Sequence, residues 1–249
     1  MVAPNGARKT KKDHPNLPIS ISEIVEEAFN CFHKGANAIH AHVRDKKDNH
    51  SLDVGLYKEL LSELNIKVPE LPVQITTEAV GKFSPEEQFE VVKLVQPEAA
   101  SVALIEMMPN IKEPRLAQNF YNFSIENNIQ IQHILYSVED LKLFKKAIEL
   151  NVIPKKNLQV LYVLGRYDKN FQSKKEDLDL FLEEHKNIIS EIDWGICAFG
   201  RAETDCLIKS NLHGGKVRVG FENNFYNQNG TLASSNAERV AEVSKLINA

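Results

Sequence analysis

Cysteine is scarce in this sequence of 249 residues. The three present, Cys31, Cys197 and Cys206, lack the pairing of a disulfide framework and the spacing of a cysteine metal site. An odd number fits a reducing compartment, and each reads as a small apolar residue. No run approaches the roughly 18 apolar residues that a membrane-spanning helix needs, and no charged-then-apolar leader opens the chain. The expected location is the cytoplasm, with no membrane partner. Positive charge is not in surplus: 30 Lys and Arg against 34 Asp and Glu leave a net charge of -4, which gives no electrostatic reason to expect nucleic acid. The one basic cluster, Arg8-Lys9-Thr10-Lys11-Lys12, is interrupted by Asp13 and reads as a solvated loop. Nucleotide fingerprints are missing as well, since Gly195 and Gly200 fit neither G-x-G-x-x-G nor P-loop spacing. Without repeats, low-complexity tracts or linkers, residues 1–249 are expected to form a single domain.

What is present is an alternation of two periods. Short apolar or β-branched runs at 38–44, 73–78, 99–104, 129–136, 158–165, 194–200 and 217–222 have the character of strands buried on both faces. Val2-Ala3-Pro4 would be an eighth, truncated strand. Segments of helical period lie between and after them, at 22–33, 54–64, 85–95, 114–127, 138–150, 175–189, 202–212 and 236–247. Ser22 precedes Glu23, Glu26 and Glu27 as a start signal, and Ser84-Pro85-Glu86-Glu87 is a stronger one, with a capping box and proline at the first helical position. Eight strands alternating with eight helices over this length predict a (β/α)8 TIM barrel of the α/β class, because open doubly wound sheets carry fewer strands.

The residues that carry chemistry sit at strand ends. In His40-Ala41-His42 the imidazoles are two apart, so on a strand they point to one face near its carboxyl end, where barrel enzymes place active sites. Two metal ligands and two core histidines are both compatible with that spacing. In the last run, Arg218, Gly220 and Glu222 share a face, and charges on a buried strand need partners. Closure of the barrel brings that strand near the first two. His40, His42 and Glu222 then form a set for one divalent metal, zinc foremost, with a coordination position open to water or substrate. The competing view leaves Arg218 and Glu222 as solvated charges at a surface strand end.

Several motifs in order resemble one family. Ala3-Pro4-Asn5-Gly6-Ala7-Arg8, Asp13-His14-Pro15, Leu17-Pro18-Ile19 and Ile39-His40-Ala41-His42-Val43-Arg44-Asp45 resemble the opening of the β-keto acid cleavage enzymes, whose best-known member cleaves 3-keto-5-aminohexanoate. The likeness continues at Gln96-Pro97-Glu98, Phe199-Gly200-Arg201, Gly214-Gly215, 218–224 and Ser235-Asn236-Ala237-Glu238, so it spans the chain. It implies a zinc-dependent barrel, a homo-oligomer (dimer or tetramer), that takes a β-keto acid and acetyl-CoA to acetoacetate and a new acyl-CoA through an enolate. It further implies His40, His42 and Glu222 as metal ligands and Arg218 beside the reacting carboxyl groups. Thr76 falls where the family has a substrate-contacting hydroxyl, and Ser101 on the next strand is a second candidate.

Three departures bear on that expectation. Asn223 stands where the best-known members carry an aspartate base, and an amide takes up no proton at neutral pH. Arg8 stands where an acid would meet the amino group of their substrate, and the fifth strand lacks acidic residues. Together these favour a neutral or anionic β-keto acid over an amino-bearing one. The base is then sought at Glu78 or Glu106, beyond strands three and four, although either also reads as a solvated loop carboxylate. Arg201 would meet a CoA phosphate or a substrate carboxylate, Arg44 and Asp45 read as a structural ion pair, and His133 is a histidine to watch because it lies in a strand. Two alternatives stay open: a barrel that binds a keto acid or CoA ester without turnover, and a metal-dependent hydrolase or aldolase. Hydrolases of the amidohydrolase type put the His-x-His pair on strand one and further histidines on strands five and six. Here the pair is on strand two and strand six has no histidine.

Overall fold

A computed structural model describes residues 1–166, 168–188 and 191–248. Seven parallel strands follow one another around a curled sheet in the order β1 (Ile39–Ala41), β4 (Val73–Thr76), β5 (Ala99–Ala103), β6 (Gln130–Leu135), β7 (Gln159–Leu164), β8 (Asp193–Ala198) and β9 (Lys216–Val217). The two edges meet through Val2, which bridges Ile39 on one side and Val219 on the other, both in parallel sense. Val2 N–H donates to Ala38 O at 2.9 Å and Ala3 N–H to Val219 O at 2.8 Å. The expected first strand is therefore a single bridging residue, and Pro4 explains its brevity because it has no N–H for the ladder. The fold is a barrel of the TIM type. Its helical layer comprises α1 (Ile21–Phe32), α2 (Val54–Lys67), α3 (Pro85–Val95), α5 (Arg115–Glu126), α6 (Val138–Glu149), α7 (Asp177–His185), α8 (Glu203–Leu212) and α9 (Asn236–Ile247).

Helix starts obey local chemistry. α3 opens on the expected capping box of Ser84 and Glu87, with proline in its first turn. The cap of α1 lies two residues before the expected one: Ser20, not Ser22, accepts from Glu23 N–H, and Glu23 Oε2 accepts from Ser20 N–H at 3.0 Å. A short helix, α4 (Leu104–Met107), follows β5 directly and was not expected. α7 is shorter than the expected 175–189, whose last residue lies outside the described residues. No helix among the described residues is long and apolar enough to cross a membrane.

Two strands end earlier than the apolar pattern implies, and both endings build the site. The run 38–44 splits after Ala41, and β2 (Val43–Arg44) turns out of the barrel to pair antiparallel with β3 (His50–Ser51). At the split, Asn5 Nδ2 donates to His42 O at 2.9 Å and His42 N–H to Asn5 Oδ1 at 3.4 Å, so one side chain stands in for a neighbouring strand. The run 217–222 keeps strand pairing only as far as Val219, which bridges Val2, and turns at Gly220, whose φ is +147°. A Cβ there would lie 2.3 Å from Ala3 O. The expected strand alternation of Arg218, Gly220 and Glu222 is replaced by a turn closed by Asn223 and Asn224 N–H donating to Gly220 O.

Candidate active site

At the carboxyl ends of the strands lies a cavity of about 510 Å³. His40, from β1, and His42, just past it, turn their Nε2 atoms toward each other at 3.1 Å. Glu222 Oε2 sits 3.6 Å from His40 Nε2 and 3.5 Å from His42 Nε2. Ligands about 2.0–2.2 Å from a tetrahedral zinc stand roughly 3.3 Å apart, so all three separations suit one ion. The ionisation states suit it too. Burial, with Arg218 nearby, pushes His40 down to about 3, leaving it neutral. Burial opposes the charge on Glu222, yet Arg218, His40 and His42 outweigh it and hold the carboxyl well below the usual carboxylate range. Neutral imidazole and ionised carboxylate are the ligand forms. His40 Nδ1 faces Gln74 Oε1 at 2.8 Å, which assigns the hydrogen to Nδ1 and frees the Nε2 lone pair. Glu222 Oε2 has no hydrogen-bond partner although it is buried, a deficit a cation would remove. The donor set therefore fits a divalent metal, and His40, His42 and Glu222 are the one such cluster among the described residues.

Arg218 is buried beside this set. Its Nη2 lies 3.1 Å from Glu222 Oε1 and 3.2 Å from Cys197 Sγ, while its Nε has no partner. Thr76 and Ser101 line the same cavity, and both are buried. Glu78 lines it as well, with Arg166 Nη2 at 3.5 Å from its Oε1. Glu106 does not: its Oε2 accepts from Ala79 N–H at 3.0 Å and Gln88 Nε2 at 2.8 Å, and burial pushes its carboxyl up. Asn223 is buried at the wall with both amide atoms unpartnered. Arg8 is exposed at the cavity lining, and Arg201 spreads its guanidinium over the Tyr226 ring at 3.9 Å.

Several side chains depart from expectation. Lys9 is not a solvated member of a basic loop: its Nζ donates to Phe221 O at 2.8 Å over the Phe225 ring, and burial pushes it down to about 8. Arg44 makes no ion pair with Asp45. It binds the carbonyls of Gly6, Lys9 and Asp48, pinning the 5–9 segment to the hairpin, while Asp45 Oδ1 accepts from Lys47 and Asn49 N–H to close the hairpin turn. His133 faces the helices, between Tyr121 and Phe144, and burial lowers it to about 4, as for a neutral core histidine. Asn5, Gln74 and Arg166 are site residues that the motifs did not single out. Gln74 had a signal, a polar residue two before Thr76 and so on the same face of a buried strand.

The turn at Gly220 is a point of leverage. Gly220→Ala is expected to destabilise the fold by about 1–3 kcal/mol from backbone strain alone and to weaken metal binding by displacing Glu222. Thermal denaturation and a metal titration of one preparation check both effects, and unchanged values in both would refute the role given to the turn.

A parallel barrel with two buried histidines and an ionised glutamate converging at the carboxyl ends of its strands is a TIM-type protein with a candidate metal centre. Residues 1–249 match the beta-keto acid cleavage enzyme family throughout, and the chain belongs to that family. The 3-keto-5-aminohexanoate cleavage enzyme of Acetoanaerobium sticklandii is 29% identical over 97% of this chain and 88% of its own length. The 3-oxoadipate:acetyl-CoA acetyltransferase of Cupriavidus necator is 24% identical over 98% and 86%. Among solved structures, the binary complex of ObcA with oxaloacetate superposes with a TM-score of 0.72 at 14% identity, over 93% of this chain. This chain spans 63% of that longer protein. Type I 3-dehydroquinate dehydratase from Clostridium difficile gives 0.65 at 12% identity, over 99% of this chain and 89% of its own. These two likenesses show the fold.

Proposed function

We propose that this protein is a zinc-dependent acyltransferase that condenses a neutral or anionic β-keto acid with acetyl-CoA, giving acetoacetate and a new acyl-CoA. The observation that carries this reading is the convergence of His40, His42 and Glu222 on a cavity that also holds Arg218. The balance is R–CO–CH2–COO⁻ plus CH3–CO–SCoA to R–CO–SCoA plus CH3–CO–CH2–COO⁻. The CH2 carbon bonds to the acetyl carbonyl, the bond from that carbon to the R–CO group breaks, and CoA accepts the released acyl group. A divalent metal, when bound, supplies Lewis acidity to the substrate oxygens. Arg218 binds and orients the substrate carboxylate, with its unpartnered Nε as the spare donor. Thr76 and Ser101 offer hydroxyls to the keto acid, and Arg201 meets a CoA phosphate at the mouth.

The proton on the CH2 carbon needs an acceptor, and Asn223 is not one. Glu78 takes that role in this proposal, because it lines the cavity whereas Glu106 is tied to Ala79 and Gln88. Glu78→Gln is expected to lower kcat by roughly 10²- to 10⁴-fold, and Glu106→Gln to leave it within a few-fold. Steady-state rates at saturating acetyl-CoA decide it, and a Glu78→Gln variant at full rate removes Glu78 from the mechanism.

Charge supports the substrate class. Arg8, Lys9, Arg166, Arg201 and Arg218 line the cavity against the two carboxylates of Glu78 and Glu222, although the whole chain carries -4. A positive pocket on a negative protein focuses anions and disfavours an ammonium group. 3-Oxoadipate or 3-oxohexanoate should exceed 3-keto-5-aminohexanoate in kcat/KM by at least about tenfold, roughly 1.4 kcal/mol. Mass spectrometry of CoA products checks this, and preference for the amino substrate would sink it. The two unpartnered amide atoms of Asn223 favour a second reading, binding without turnover. Absence of CoA transfer across the panel would support that reading instead.

A further inference from the structure

We propose that Gln132 and Gln74 form a positioning relay that sets which nitrogen of His40 carries its hydrogen, and so keeps His40 in its metal-binding form. His40 Nδ1 meets Gln74 Oε1 at 2.8 Å, and Gln74 Nε2 donates to Gln132 Oε1 at 3.3 Å. Gln74 lies on β4 and Gln132 on β6, so the chain of bonds crosses the barrel interior past β5. Gln74 is only 4% exposed, and among the described residues no other hydrogen bond fixes which way its amide points.

A neutral imidazole has one N–H. With the carbonyl end of Gln74 on Nδ1, the hydrogen resides there, and the lone pair is on Nε2, the nitrogen aimed at His42 and Glu222. If the Gln74 amide turned over, its NH2 group would donate to Nδ1. The hydrogen would then move to Nε2, and that nitrogen would bind no cation. Gln132 Oε1 opposes the turnover, because it would otherwise face the carbonyl oxygen of Gln74. Gln132 lines a separate concavity formed with Gln159 and Lys216, and neither glutamine lines the substrate cavity. Both act through His40 alone.

The inference rests on the reading of His40, His42 and Glu222 as a metal site, and its test has an arm that needs no metal. Nitrogen-15 imidazole NMR of the metal-free full chain reports the His40 tautomer, and chelator competition reports zinc affinity. The unmodified protein should show the Nδ1–H form. Gln74→Leu should lose it and weaken zinc binding roughly 10- to 100-fold. Gln132→Leu should give mixed tautomers and a loss of about two- to fivefold, the population lost to the unproductive form. Gln132→Glu, which presents only acceptors, should keep the original tautomer. In a Gln74→Glu background, where the carboxylate has no donor end to orient, Gln132→Leu should cost nothing further. An unchanged His40 tautomer in Gln132→Leu, or the same fold loss in both backgrounds, overturns the relay. Failure of the unmodified protein to bind zinc overturns the site reading instead, and the tautomer arm still decides the relay.

Discussion

His42→Ala is expected to remove stoichiometric metal binding and to lower kcat/KM by at least about 10³-fold, because Lewis-acid stabilisation by a bound metal supplies several kcal/mol to the transition state. Fold stability should change little by comparison. The backbone of His42 is held by Asn5, its ring Nδ1 has no hydrogen-bond partner among the described residues, and the Nε2 contacts with His40 and Glu222 are the polar contacts the ring would lose. Metal content of the purified variant, its turnover and its melting temperature separate the two effects. Prolonged chelation of the unmodified protein should reproduce the loss of activity, and added zinc should reverse it. A variant that keeps one equivalent of metal and full turnover would rule out the triad. Glu222→Gln is a less clean test, since it also strips the buried Arg218 of the carboxylate 3.1 Å away.

The barrel and the His40–His42 pair were legible because both rest on short-range pattern, and closure of the barrel brought Glu222 to that pair. Apolar runs at regular spacing predict parallel strands, and a His-x-His pair predicts adjacent imidazoles wherever the backbone is extended. The path of the chain at the site was not legible. His42 lies past the end of β1 and Glu222 in a turn, so neither side chain stands on the strand that periodicity assigns to it. What bends both segments is long-range: the Asn5 side chain against His42, and Ala3 O against Gly220. The partner of Arg44 was misread for the same reason, since Asp45 is its sequence neighbour while the carbonyls of Gly6 and Lys9 reach it only through tertiary packing. Lys9 shows the converse error. A basic run is solvated on average, but one member of it lies over Phe225 and reaches Phe221 O. The candidate base is the least legible element, because Glu78 and Glu106 both follow strand ends in the sequence, and only tertiary structure shows Glu78 at the cavity and Glu106 held by Ala79 and Gln88.

Arg239→Met should destabilise the fold by about 3–5 kcal/mol, or a fall in melting temperature of roughly 6–20 °C. Arg239 and Glu203 are both fully buried, with Arg239 Nη2 at 2.9 Å from Glu203 Oε2 and 2.8 Å from Thr204 Oγ1. Nη1 of the same guanidinium meets Glu242 on the next turn of α9. Methionine would leave the Glu203 carboxylate buried without its cation. Burial already pushes Glu203 up, against the pull of Arg239, and without the arginine it would rise further. A carboxyl with a raised folded-state pKa destabilises as pH climbs through the window between its unfolded and folded values, so the deficit should shrink in acid and grow towards neutrality. Pairing Arg239→Met with Glu203→Leu should recover much of the loss, since an apolar pair of similar volume removes both buried charges. The same carboxylate accepts from Gly220 N–H at 3.4 Å and Asn224 Nδ2 at 3.2 Å, which fixes the turn that presents Glu222. Arg239→Met should therefore weaken metal binding as well as the fold, whereas His42→Ala should abolish the first and largely spare the second. Equal melting temperatures for the two variants would refute this division between a network that holds the turn and the residues proposed to hold a metal.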